Sequence, residues 1–167
     1  MIYTIPNADN PLDQGDLLDD CPIANVALYE MDRPDQAQMK LEFHQVIVLT
    51  QTCDIANDKI DRFVVACIFD AQALIDLKVV KAADVKGLLR AGRVWGLYFL
   101  PTFGDAGLGE MIVDFRRVYS IRVELLDKLR QSGKRRARLL TPYREHLAKH
   151  FADTYARIGL PQPYETI

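Results

Sequence analysis

One stretch constrains this chain more than any other: Val46-Ile47-Val48-Leu49 running into Thr50-Gln51-Thr52-Cys53-Asp54. Four apolar residues, three of them β-branched, read as a strand buried on both faces. A strand of that kind needs neighbours on either side and cover above and below. It also delivers two hydroxyls, an amide, a thiol and a carboxylate to the end of a core element. A fold that accepts it must be a layered or closed sheet with a polar rim.

The flanking segments supply the neighbours. Met1–Pro11 reads as a loose lead-in, because Pro6, Asn7, Asn10 and Pro11 discourage regular structure. Gln14–Leu18 and Ile23–Tyr29 read as two strands, with Asp19-Asp20-Cys21-Pro22 turning between them. Met39–Thr50 is extended, Asp54 caps a short turn, and Phe63–Phe69 is a second dense strand. The period then changes: Leu74, Leu77 and Val80, then Val85, Leu88 and Leu89, place one or two short helices over about 71–91, closed by Gly92.

Strand signals return at Trp95–Leu100, where Trp95, Tyr98 and Phe99 supply core mass, and again at Met111–Phe115 and Val118–Arg122. A helical turn begins near Leu125. The tail carries the clearest helix, over 141–159. Thr141 is a good N-cap, Pro142 a good first residue, and Leu147, Phe151, Tyr155 and Ile158 form a docking stripe before Gly159 and Pro161 stop it.

The whole is one α+β domain, 1–167. Residues 12–122 form a small antiparallel β-barrel with an inserted helical segment, and the C-terminal helix docks on it. At 167 residues the chain is long enough for a real core. No apolar run approaches the roughly 18–20 residues that span a bilayer, and the first residues lack the pattern of a signal peptide. The expectation is a cytoplasmic protein without membrane contact. Three cysteines without CxxC spacing argue against a disulfide framework.

Net charge is only −2, yet it is unevenly spread. Residues 1–30 hold six acids and no Lys or Arg, whereas 116–138 hold nine bases. Such asymmetry marks either an interaction surface or an internal match, with the acidic start lying across the basic stretch. As a surface, Arg116, Arg117, Lys134, Arg135, Arg136 and Arg138 are candidates to neutralise RNA or DNA phosphates, or to hold an acidic protein partner. A solvated loop of charges is the plainer reading of the 128–138 run, and the overall pI near 5.9 counts against dedicated nucleic-acid binding.

Three pieces together resemble the PemK/MazF family of bacterial toxin–antitoxin systems: Gln14-Gly15-Asp16-Leu17-Leu18, the strand Val46–Thr50, and Val113 to Ile121. The resemblance implies an SH3-like barrel and a metal-independent endoribonuclease without a cofactor. It also implies an arginine entering the focal strand and a Ser/Thr on the following one. Here His44 occupies the arginine position, and Phe63–Phe69 contains Cys67 but no Ser or Thr. The chain also resembles a group of uncharacterised bacterial proteins that share an early Gln-Gly-Asp, a (S/T)QxCD segment and a terminal Arg-x-Gly-Leu-Pro. Here these are Gln14–Asp16, Thr50–Asp54 and Arg157–Pro161. That likeness carries no activity.

Several chemistries follow from these residues. A binding or regulatory module of a toxin–antitoxin-like or defence locus, with homodimerisation open, uses the Arg-rich surface. A ribonuclease uses His44 as base with Thr50, Cys53 and Asp54 around the phosphate. A small-ligand or thiol-based site centres on Cys53. Cys21, Cys53, Cys67 and His44 have the ligand count for zinc but not its local spacing. His146 and His150, at i, i+4, more simply flank the apolar stripe.

Overall fold

The computed structural model describes residues 1–57 and 60–156. Seven strands form one antiparallel sheet in the order β1-β7-β2-β3-β4-β6-β5. In chain order these are β1 (Tyr3–Thr4), β2 (Asp16–Leu28), β3 (Gln38–Val48), β4 (Arg62–Asp70), β5 (Leu97–Leu100), β6 (Met111–Arg122) and β7 (Arg135–Leu139). The five α-helices among the described residues are α1 (Thr52–Ala56), α2 (Ala71–Asp76), α3 (Ala82–Asp84), α4 (Val123–Gln131) and α5 (Tyr143–Tyr155). The sheet curls into a half-barrel. Its two edges approach each other where the Tyr3 hydroxyl donates to the Pro101 carbonyl at 2.9 Å and its ring stacks on Phe103 at 5.2 Å.

Burial follows the strand period. Ile47 and Leu49 face one core with Leu17, Val113, Phe115 and Leu139, which α5 covers through Leu147. Val46 and Val48 face the opposite core with Leu18, Phe63, Val65 and Cys67, which α4 covers through Leu126. Val46, Ile47 and Val48 are all completely buried, as a strand flanked and covered on both sides must be.

Several segments depart from the sequence reading. Gln14–Leu18 and Ile23–Tyr29 are parts of one thirteen-residue strand rather than two. Asp19 and Asp20 form a bulge in it, with Asp20 left-handed at φ 56°, so the chain continues instead of reversing. Pro22 is tolerated because β2 has only β3 beside it at that point. Residues 111–122 are likewise a single strand, bulged at Phe115–Arg117 between the pairs Cys67↔Asp114 and Ala66↔Val118.

The lead-in contains an edge strand, with Tyr3 opposite Leu139, and the basic run is not a loop: Lys128 and Arg130 lie on α4, and Arg135, Arg136 and Arg138 on strand β7. Trp95 is 55% exposed rather than core, stacked on His150. Residues 71–89 are helical in three short pieces, the last a π-turn over Val85–Leu89.

The final helix starts at Tyr143, after a cis Thr141–Pro142 bond. The Thr141 hydroxyl bonds Glu145 Oε1 at 3.0 Å instead of capping the backbone. Ile158, the stop at Gly159 and Pro161, and the Arg157–Pro161 motif lie outside the described residues.

Candidate functional site: a buried charge network, a polar corner and an arginine groove

The internal match between acidic start and basic stretch is what the fold builds. Asp16 is completely buried at the head of β2, opposite Arg138 in register. Arg138 grips its carboxylate bidentately, Nε to Oδ1 at 2.5 Å and Nη2 to Oδ2 at 2.8 Å, and Arg135 reaches Oδ2 at 3.4 Å. The Arg135 side chain is only 3% exposed, and its remaining donors hold the carbonyls of Asn7, Asn10 and Pro11. Arg136 bonds Asp19 at 2.7 Å and the Ala106 carbonyl, and Lys134 bonds Asp20 at 2.6 Å. Asp13 takes Arg144 at 3.0 Å. Four of the six cations expected on a binding surface therefore pair with the acids of β2. A buried charge that is not compensated costs several kcal/mol, which fixes this arrangement.

Beside this network the two sequence motifs meet. Gln14 Nε2 donates to the Leu49 carbonyl and Gly15 N–H to that of Val48, both at 2.9 Å. Gly15 sits at φ 82°, and a Cβ there would lie 3.0 Å from Leu139 Cβ, so only glycine allows the approach. The Thr50 hydroxyl is spent on the Val64 N–H at 2.7 Å. Thr52 Oγ1 is buried without a hydrogen-bond partner among the described residues, on a cleft of about 380 Å³ shared with Leu12, Asp13, Ile55 and Arg138.

Asp54 lies within α1 rather than capping it. Cys53 is exposed, its thiol 3.6 Å from Gln51 Oε1 and 3.8 Å from Asp54 Oδ1.

His44 is not part of this corner. It sits beside Cys21 in register, near Glu42 and Phe69. Four residues of extended strand separate it from Val48, roughly 13 Å before the corner begins. Cys21 and Cys67 are buried while Cys53 faces outward, so the Cys₃His set does not assemble. Burial pushes the Cys21 thiol up to about 12 and the Cys67 thiol up to about 11. His146 contacts the Tyr98 hydroxyl and His150 the Val94 carbonyl. Among the described residues no group of three His, Cys, Asp or Glu side chains is placed to hold a metal ion.

Four further arginines, Arg62, Arg116, Arg117 and Arg122, lie on β4 and β6. Arg62 and Arg122 stand directly opposite each other and both are exposed, with exposed Ser120 two residues before Arg122 on β6. Arg62 donates Nε to Ser120 Oγ at 3.0 Å and Nη2 to its carbonyl at 2.6 Å. Together with Tyr119, Pro22 and Leu125 they line a groove of about 430 Å³. Further along β6, Arg116 is locked bidentately on Asp114 at 2.8 and 2.9 Å, while Arg117 lies over the Phe69 ring at 5.2 Å. Arg122 belongs to the basic stretch 116–138, whereas Arg62 lies more than fifty residues before it. Their opposition depends on the bulge at Phe115–Arg117, which no local signal announces.

No protein-family model matches the chain, and no curated protein matches it. Among the described residues no helix is long and apolar enough to cross a membrane.

Proposed function

We propose that this chain is a non-catalytic binding module of a bacterial defence or toxin–antitoxin-like locus. In this reading it has a PemK/MazF-like barrel, acts in the cytoplasm, and contacts nucleic-acid phosphates through the Arg62–Arg122 groove. The observation that carries the reading is the cross-strand pair itself. Like charges directly opposite each other on a sheet are destabilising, and a phosphate between them converts that repulsion into two charge-assisted bonds. Ser120 adds a hydroxyl to the groove. The surface thereby moves from β7, whose cations are engaged inside the protein, to β4 and β6. Cleavage would need a base at the Thr50–Asp54 corner. The ribonuclease reading takes His44 as its base, and the separation of His44 from that corner favours binding over a ribonuclease.

Fluorescence anisotropy with labelled single-stranded RNA, single-stranded DNA and an acidic peptide tests this. Nucleic acid should bind with a salt-dependent affinity. Arg62→Glu with Arg122→Glu should weaken binding at least about tenfold and reduce the salt slope by about two, whereas Lys134→Ala should leave it unchanged. Binding that survives the double variant, or that favours the acidic peptide, overturns the reading.

A further inference from the structure

Beyond Leu18 on β2 and before Gln45 on β3, these two strands leave the body of the sheet as a two-stranded arm. No described strand lies beside either of its outer edges. The pairs Pro22↔Phe43, Ala24↔Leu41 and Val26↔Met39 put one side of each strand on a common face. That face is apolar and open to solvent: Val26, Met39, Leu41 and Phe43 are each between 57% and 64% exposed. Leu28, Tyr29 and Met31 near the tip are exposed as well. The four residues of that face present on the order of 450 Å², the size of the largest apolar patch on a typical monomer and often a functional one. The other face of β3 is charged, with Lys40 and Glu42 bridged at 2.7 Å and His44 next in line.

We infer that the arm pairs with the arm of a second copy of this chain, β3 edge to β3 edge, about a two-fold axis through Leu41. An antiparallel pairing centred there sets Lys40 opposite the partner's Glu42, Glu42 opposite the partner's Lys40, and Met39 opposite the partner's Phe43. Leu41 meets its own counterpart. Each apolar residue thus meets an apolar one on the same face, and each charge meets its opposite, which an isologous contact requires. The unpaired backbone groups of Gln38–His44 find partners by strand addition. Two marginal two-stranded ribbons become one four-stranded sheet, which passes the three-strand threshold for independent stability.

Charge-reversal complementation, followed by sedimentation and native mass measurement of the full chain, tests the pairing. Lys40→Glu sets Glu against the partner's Glu, and Glu42→Lys sets Lys against the partner's Lys. Each single variant should dissociate at least about tenfold more readily than the wild type. Mixing the two single variants should produce a heterodimer, because every cross-chain pair is then Glu against Lys. The Lys40→Glu, Glu42→Lys double variant should restore the homodimer. Unchanged circular dichroism in the exposed-site variants confirms that each is folded. A wild-type chain that stays monomeric at about 100 µM, single variants that dimerise like wild type, or a mixture that forms no heterodimer each overturn the inference.

Discussion

The three cysteines show how environment alone sets reactivity. Cys21 and Cys67 lie completely buried in the core under α4, and burial holds both thiols neutral far above their ordinary range. Cys53 is exposed on the first turn of α1. In the native protein a thiol reagent at pH 7 should label one cysteine, and in guanidinium three. Cys53→Ser should abolish the native labelling. A second thiol reacting at a comparable rate would mean that the core under α4 opens readily.

Elements differ in how far their own residues announce them. β3 and β4 were readable because Val46–Val48 and Phe63–Phe69 combine β-branched and aromatic residues, and such runs are stable only when flanked. α5 was readable from its stripe, and the structure adds the energetic weight. Leu147 is completely buried, whereas the Tyr155 ring stays 58% exposed and only its hydroxyl is tied, to the Phe115 carbonyl. A thirteen-residue helix is marginal on its own, so docking holds it. Leu147→Ala should therefore cost about 2–5 kcal/mol in urea unfolding, and a loss below about 1 kcal/mol would show the helix to be loosely seated. β1 and β7 were not readable. A two-residue strand has no period, and Arg135–Leu139 buries only Ala137 and Leu139 while its charges find partners more than a hundred residues away. The Asp19-Asp20 signal was real but ambiguous, since the residues that favour a turn also favour a bulge. The polar corner was legible as a cluster of residue types, and its nearness to Gln14–Asp16 was not, because nothing local encodes it.

At the scale of the whole molecule, the Asp16 network ties the beginning of the chain to its last strand. Asp16→Asn removes the one buried negative charge that Arg135 and Arg138 share, leaving both guanidinium groups undercompensated, Arg135 with its side chain almost wholly buried. The expected loss is about 3–5 kcal/mol, measured by urea unfolding. Lys134→Ala, which breaks only the exposed pair with Asp20, should change stability by less than about 1 kcal/mol. Comparable losses from the two variants would mean that the network is hydrated and contributes as a surface pair does.

Strand order has a consequence for how the chain emerges from a ribosome. β7 inserts between β1 and β2, so this side of the sheet stays incomplete until the last strand has been made. Arg135 follows Asp16 by 119 residues, on the order of ten seconds of translation. Throughout that interval the nascent sheet shows an open β2 flank and an acid without its counter-ions. The sheet therefore cannot be completed gradually from its N-terminal side, and the insertion of β7 waits for Arg135–Leu139 to be made.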